Sequence, residues 1–433
     1  MRICIVAENA STRFGGEAIL PVHYFRQLRS RGVECWLIVH ARVQMEVEGL
    51  FPQELDRIVF VPDTWLQKHL FSLGSFLPDR LSESTLGLIN QLITQFHQRV
   101  IARRLIRNER IDVVHQPIPV SPRFPSAMFG LGVPVVIGPL NGGMEYPPAF
   151  RRTEKWMSRS AIAITRRFVN VGNTLLPGKK RASVVLVANE RTRKALPSGL
   201  RGEIIELVEN GIDVGVWQAT RAIQIGTNSR FIFLGRLVDW KAVDVVIRAL
   251  QELPTAELEV IGDGPMLRSW RTLASELGLK DRVHFTGWLP QQECAARLRD
   301  SVALVLPSLY ECGGAVVLEA MSMGKPVIAT DWGGPADYLD TSCGVLIAPD
   351  SYTGLVAGFA SAMRKMIDSP ELPRVMGAAG RERAIHDYDW QRKIDQVISI
   401  YRALLEKLDV CSDNHESETA SVVISRKNQK LNQ

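Results

Sequence analysis

Residues 302–334 read VALVLPSLYECGGAVVLEAMSMGKPVIATDWGG, and this stretch decides how the rest of the chain is read. A short apolar run of β-type residues, from Val302 to Leu306, is closed by Pro307 and Ser308. A polar, glycine-containing loop follows, from Leu309 to Gly314. Residues from Ala315 to Met323 read as a helix, with Gly324 at its C-terminal stop and Pro326 just beyond. A second buried strand, from Val327 to Thr330, ends in Asp331 and the Gly333-Gly334 turn. The pattern predicts a strand–loop–helix–strand unit of a parallel sheet, with ligand sites at the carboxyl ends of the strands.

Two carboxylates stand out in this unit. Glu311 lies in the loop, and Glu319 lies eight residues on, about one turn inside the helix. Between them, Gly313 and Gly314 leave the first N–H groups of the helix open to a ligand. Such an N-terminus attracts a phosphate or a sugar oxygen through its orphan donors and the positive end of the helix dipole. The spacing predicts an anion seat flanked by two hydroxyl-binding carboxylates, which suits a sugar linked to a nucleoside diphosphate. Taken alone, it also fits an ordinary βαβ unit with a glycine turn and a pair of surface glutamates.

Composition narrows the class. The chain has 433 residues, enough for two or three domains, each with its own core. Apolar residues make up 46% and charged residues 23%, as in a soluble globular protein. No apolar run approaches the roughly 18–20 residues needed to span a bilayer. The opening MRICIVAEN reads as a first strand, without the h-region or cleavage site of a signal peptide. Six cysteines are scattered without CxxC or Cys/His ligand spacing, which predicts reduced thiols in a cytosolic protein. The net charge of +6 favours anionic ligands or surfaces.

In order, the chain alternates strands and helices, as in an α/β fold. A first strand from Ile3 to Ala7 leads into a loop holding Arg13, Gly15 and Gly16, then a helix from about Glu17 to Arg31 and a strand from Glu34 to His40. The loop glycines permit close approach of a phosphate or sugar, although GG after a strand is more often a turn. The G-x-G-x-x-G spacing of a dinucleotide site is absent here, which argues against a dehydrogenase. Residues 41–110 are less readable, with apolar pieces from Trp65 to Leu77 and a long helix from Ser84 to about Asn108. The strand IDVVH, from Ile111 to His115, ends in a histidine that this architecture would turn toward the ligand crevice. Capping or packing is the alternative role for His115. A strand from Pro134 to Gly138 follows, and its loop, Pro139-Leu140-Asn141-Gly142-Gly143, is placed to line the same crevice.

Residues 151–194 contain twelve Lys/Arg and two Glu, interleaved with Trp156, Met157, Ile162, Ile164 and Phe168. From Ser158 to Val169 this predicts a basic amphipathic helix, suited to an anionic membrane surface or to a solvated basic face. No recognition motif supports nucleic-acid binding. A strand from Ser183 to Ala188 comes next, and Glu209-Asn210-Gly211-Ile212-Asp213 forms a turn-rich exit.

After a polar linker, the second half repeats one device three times. The strand from Phe231 to Leu234 ends in Gly235-Arg236, with Lys241 at the start of a helix. The strand from Leu258 to Ile261 ends in Gly262-Asp263-Gly264-Pro265, and the strand from Val302 to Leu306 ends in the Glu311 loop. In a parallel sheet these loops emerge at one edge, where Arg236 as a fork and Lys241 as a point charge suit a pyrophosphate.

The segments GRLVDWK, IGDGP and E-x7-E within ECGGAVVLEAMSMGKPVIATDWGG resemble the retaining glycosyltransferases of family four. The FGGE loop, His115, the NGID turn and the closing segment from Trp390 to Tyr401 extend the likeness to about residue 409. The resemblance implies an α/β chain of GT-B architecture: two Rossmann-like domains, 1–215 on the acceptor side and 230–385 on the donor side, joined by a linker over 216–229. It further implies a crossover helix over 386–409 packed on the first domain. Residues 410–433, polar and aperiodic, read as a disordered tail.

By matched motifs, Arg236 and Lys241 would bind the donor phosphates, Glu319 the ribose hydroxyls and Glu311 the transferred sugar. Backbone amides of Gly313, Gly314, Ala315 and Val316 would hold phosphate or sugar oxygens, while Gly15, Gly16 and His115 would close over the donor. Glu311 and His115 are the catalytic candidates. The implied reaction is metal-independent transfer with retention, without a cofactor, from a nucleotide sugar to a polysaccharide, glycolipid or lipid-linked glycan. The expected location is the cytoplasm, with peripheral membrane contact through 151–194. The one DxD, Asp387-Tyr388-Asp389, reads as a helix start. Two departures from the family pattern, GGEA in the first loop and Cys312-Gly313-Gly314 after Glu311, bear on the position of Glu17 and on sugar selectivity. The rival readings are a sugar phosphorylase or epimerase of the same fold, and a non-catalytic nucleotide-sugar-binding or scaffold protein.

Overall fold

The computed structural model describes residues 1–13, 16–67, 69, 79–151, 171–217 and 229–407. Gly15, the amphipathic stretch expected from Ser158 to Val169, most of the linker and the tail from 408 onward lie outside the described residues.

Two parallel sheets organise the chain. The first holds β1 (Arg2–Val6), β2 (Glu34–His40), β3 (Ile58–Val61), β4 (Val113–Gln116), β5 (Val135–Leu140), β6 (Val184–Val187) and β7 (Glu203–Glu206). Its spatial order is β3-β2-β1-β4-β5-β6-β7. The second holds β8 (Arg230–Leu234), β9 (Glu257–Ile261), β10 (Val283–Gly287), β11 (Ala303–Leu306), β12 (Val327–Thr330) and β13 (Gly344–Ile347), in the order β10-β9-β8-β11-β12-β13. Each order reverses beside its first strand, between β1 and β4 and between β8 and β11. That is the doubly wound arrangement, and it opens a crevice at the carboxyl edge where the chain changes direction.

Central strands read as unbroken apolar runs because helices cover both faces of such a sheet. In β11 and β12 all four residues are buried, as are all six of β5. One core, with Phe231, Val246, Leu304, Leu318, Ile328 and Phe359, supports the second sheet. Two cores lie on the opposite faces of the first, one around Ile5, Phe25 and Leu37, the other around Val6, Ile38 and Val114.

The chain crosses between domains twice. On the way out, Ile212 and Trp217 are already buried in the second core, and the Ser322 hydroxyl donates to the Trp217 carbonyl at 2.8 Å. Trp217 is therefore part of the second core rather than of a polar linker; its indole is too large and apolar to be left in water. On the way back, the Asp389 carboxylate accepts from the Gln391 N–H at 3.1 Å, which starts a helix over 390–407. Trp390, Ile394, Val397, Ile398 and Tyr401 recur at helical spacing, and that face joins the first-domain core. Trp390 stacks on His23, with ring centroids 4.7 Å apart.

Candidate active site

The carboxyl ends of β8, β9, β11 and β12 carry four loops that rest on one another. The Gly235 N–H donates to the Ile261 carbonyl at 3.0 Å, Leu237 N–H to Asp263 at 2.9 Å, and Leu309 N–H to Trp240 at 2.8 Å. Two glycines make this stacking feasible. A Cβ on Gly262 would lie 2.0 Å from the Gly235 carbonyl oxygen, and one on Gly264 would lie 2.4 Å from that of Leu237. Both also hold φ in the range that disfavours side chains, +137° and +157°.

Within this edge, Lys241 and Glu311 form a direct ion pair, Nζ donating to Oε2, with both side chains largely shielded from water. Arg236 lies exposed at the same edge. The helix Ala315–Ser322 begins after Gly314, whose φ of +78° aims the chain into the first turn, and no side chain caps it. Ala315 and Val316 are half-buried there. Its orphan N–H groups therefore remain available as donors beside the Lys241–Glu311 pair. One turn on, Glu319 is pushed up to about 7 by burial. A carboxyl in that range switches between donor and acceptor near neutrality. Cys312, between the two glutamates in sequence, is pushed up to about 11 by burial and by the carboxylates of Glu209 and Glu311. It is a neutral thiol and no nucleophile.

The first domain faces this edge with the segment 141–146. The Asn141 side-chain amide donates to the Cys312 carbonyl at 3.0 Å, and Met144 packs where a Cβ on Gly333 would fall, 2.6 Å from Cε. The Glu145 carbonyl accepts from the Trp332 indole at 2.8 Å, and the rings of Tyr146 and Tyr310 lie 5.4 Å apart. Beside it, Arg191 and Asn189 both donate to Asp337, at 3.0 and 2.9 Å. Below, the buried Glu209 accepts from Asn141 at 2.5 Å, and the Asn210 amide donates to the Tyr338 hydroxyl at 3.1 Å. Glu209 is pushed up to about 7, by burial first. Sequence reasoning treated 209–213 as a turn and passed over Arg191. An acid directly before an Asn-Gly pair, close to the expected linker, is the one sequence signal at this position.

His115 takes a different place from the one expected. It is fully buried, Nε2 donates to the Gly138 carbonyl at 2.6 Å, and Nδ1 accepts from the Tyr401 hydroxyl at 2.5 Å. The returning helix covers the end of β4, so the ring faces that helix and not the crevice. Gly16 is exposed, at φ +54°. Its neighbour Glu17 turns inward, accepting from the Val120 N–H at 2.9 Å, with burial raising its carboxyl. The first loop is thus tied to the proline-rich loop after β4.

A family model described as glycosyl transferases group 1 matches residues 218–383, the part that carries Arg236, Lys241 and both glutamates. The glycogen synthase of Mycobacterium tuberculosis is 32% identical over 205 residues, 46% of this chain and 48% of that protein. The chain thus spans about half the length of that relative. The MMP alpha-(1->4)-mannosyltransferase of Mycolicibacterium hassiacum is 27% identical over 95% of this chain and 100% of its own length. Among solved structures, Anabaena Alr3699/HepE in complex with UDP aligns with a TM-score of 0.65 at 15% identity, over 93% of this chain and 100% of that one. Sucrose-phosphate synthase from Thermosynechococcus elongatus aligns at 0.63 and 16%, over 94% and 100%. These likenesses match the paired Rossmann-like domains of the GT-B fold. The match to the group 1 glycosyl transferases is thus carried by residues 218–383, the second Rossmann-like domain.

Proposed function

We propose that this protein transfers a glycosyl unit, with retention, from a nucleoside-diphosphate sugar to a polysaccharide, glycolipid or lipid-linked glycan. One observation carries the reading. A cation–carboxylate pair, Lys241 and Glu311, sits beside an uncapped helix N-terminus with a second carboxylate, Glu319, one turn away. A diphosphate needs the cation and the N–H groups, a ribose needs an acceptor for its hydroxyls, and a transferred sugar needs one for its own.

In this reading Lys241, Arg236 and the amides of Gly313 to Val316 stabilise the charge that builds on the departing phosphate. Glu319 accepts from the ribose hydroxyls and Glu311 from the sugar. Transfer takes the front-face route, without a covalent intermediate; trapping a glycosyl adduct on Glu311 would overturn it. Two side-chain cations and a helix terminus replace the metal ion, and no cofactor takes part. The relatives' names include a glucosyltransferase and mannosyltransferases, which favours a hexosyl donor.

The acceptor class rests on the basic 151–194 segment, read as a peripheral contact with an anionic membrane at the cytoplasmic face. No helix among the described residues is long and apolar enough to cross a membrane. Failure to bind anionic liposomes at low salt would remove the membrane from the reading.

The deciding experiment is calorimetric titration of the purified chain with UDP, GDP, ADP and CMP, without added metal. Selective binding of one nucleotide is expected. Binding of none would favour a scaffold protein.

A further inference from the structure

The donor loop over 311–314 is shaped from outside its own domain. Asn141 follows β5 in the first domain, and its side-chain Nδ2 serves two acceptors at once: the Glu209 carboxylate at 2.5 Å and the Cys312 carbonyl at 3.0 Å. An amide nitrogen carries two hydrogens, and here both are used. Glu209, Asn210 and Asn141 are all nearly inaccessible to water, with 6%, 6% and 4% of their surface exposed. Their polar atoms crowd the next residue of the loop. A Cβ at Gly313 would lie 2.4 Å from Asn210 Nδ2, 3.1 Å from Glu209 Oε2 and 3.5 Å from Asn141 Nδ2. Lys393, on the returning helix, donates to the Glu209 carbonyl and so fixes the backbone that carries the acid.

We propose that Asn141, oriented by Glu209, is a positioning pair that tethers the Cys312–Gly313 peptide from across the crevice and keeps the N-terminus of the Ala315–Ser322 helix open for the donor. Glu209 touches neither sugar nor phosphate; it acts by holding one N–H of Asn141, which leaves the other aimed at Cys312. Without the acid the amide keeps only the long bond from the Thr192 hydroxyl to its Oδ1, at 3.5 Å, and its aim at Cys312 loosens. Arg191 also donates to the Cys312 carbonyl, but at 3.4 Å, so the Asn141 bond is the shorter and stronger of the two. The tether works only while the two domains face each other, so it links their closure to the shape of the donor seat. This assignment rests on the donor reading given above.

The test uses the full chain and two measurements. Hydrogen exchange of the peptide covering 311–319, without ligand, reads the tether directly; titration with UDP and GDP reads its consequence. Asn141→Ala and Glu209→Ala should each raise deuterium uptake in 311–319 severalfold and weaken nucleotide binding about tenfold. The double variant should be no worse than Asn141→Ala, since both residues serve one bond. Glu209→Gln, whose amide oxygen still accepts from Asn141, should remain within about threefold of the parent. Asn141→Asp preserves shape while removing both donors, and should match Asn141→Ala even if the alanine variants fold poorly. Unchanged uptake in Asn141→Asp, or additive losses in the double variant, would overturn the tether. If the parent chain binds neither UDP nor GDP, the donor reading is what fails, and uptake alone still decides the tether.

Discussion

The hydroxyl of Tyr401 donates to Nδ1 of His115 at 2.5 Å, joining the helix over 390–407 to the fourth strand of the first sheet across 286 residues. Because the Gly138 carbonyl can only accept, Nε2 carries the ring proton and Nδ1 must be bare. Burial, the dominant cause, lowers His115 from 6.5 to about 4. The neutral ring is thus the form the folded state needs. An unfolded chain binds the proton below about 6.5 and the folded one resists it, so stability falls as pH drops from 6.5 through 4. The full effect of such a shift is about 3 kcal/mol.

NMR of ring-labelled histidine should show His115 as the Nε2–H tautomer down to about pH 4. Tyr401→Phe should strand Nδ1 and cost about 1–3 kcal/mol in chemical denaturation, with nucleotide affinity unchanged. A ring that titrates near 6.5, or a Tyr401→Phe variant that loses nucleotide binding, would return His115 to the crevice.

The same residue shows where sequence reasoning stops. The strands expected from pattern are the interior ones, β1, β2, β4, β5 and β6 in one sheet and β8, β9, β11 and β12 in the other. The four passed over, β3, β7, β10 and β13, are the four sheet edges. Interior strands are covered on both faces and betray themselves as apolar runs. Edge strands such as Glu203–Glu206, EIIE, and Val283–Gly287, VHFTG, expose part of their surface and keep polar residues. The loop between β11 and its helix was legible because glycine spacing and paired acids lie within nine residues. Of the opposite wall only the loop holding Asn141 was legible: Arg191 and Glu209 lie 50 and 68 residues further on, and only folding joins them to Cys312 and Gly313. His115 was misplaced for a related reason, since nothing in IDVVH says that a helix 286 residues later covers it.

Lys241 and Glu311 form a direct ion pair, so a phosphate that binds Lys241 competes with a carboxylate for the same ammonium. Lys241→Ala should weaken nucleoside diphosphate binding about 10- to 100-fold, the worth of a charge-assisted bond. Glu311→Gln removes the competitor and should tighten the same ligand while abolishing transfer. Calorimetry together with a transfer assay separates the two. Weaker diphosphate binding in Glu311→Gln would show that the phosphate does not share Lys241.

Gly334 marks the tightest point of the site's floor. Its N–H donates to the Glu311 carbonyl at 2.8 Å, and an added Cβ would lie 1.9 Å from the Gly313 carbonyl oxygen. No rotamer relieves a clash with backbone, so Gly334→Ala must displace the whole 311–314 loop. Activity should fall at least 100-fold. At Gly354, in the first turn of the helix Tyr352–Asp368, a Cβ meets only the Ser351 hydroxyl that caps that helix, 2.9 Å away. Losing that cap costs about 1 kcal/mol of stability without touching the 311–314 loop. Gly354→Ala should cost little activity. Equal activity losses in the two variants would mean that the floor of the site is not specially constrained.

Glu319 gives the donor reading a pH signature. Burial holds its carboxyl near 7, whereas a ribose hydroxyl donates best to the ionised form. Below 7, binding must first expel the proton, so affinity should fall about tenfold between pH 8 and pH 6. UDP-glucose and GDP-mannose are suitable probes because a sugar-capped diphosphate has no proton to gain in that window. Glu209, Lys179 and Lys393 also lie near 7, so the wild-type slope alone is ambiguous. Glu319→Gln resolves it: the amide cannot ionise, and the slope should flatten while overall affinity drops. If the slope survives in Glu319→Gln, the proton belongs to one of those three buried groups, and Glu319 is not the ribose acceptor.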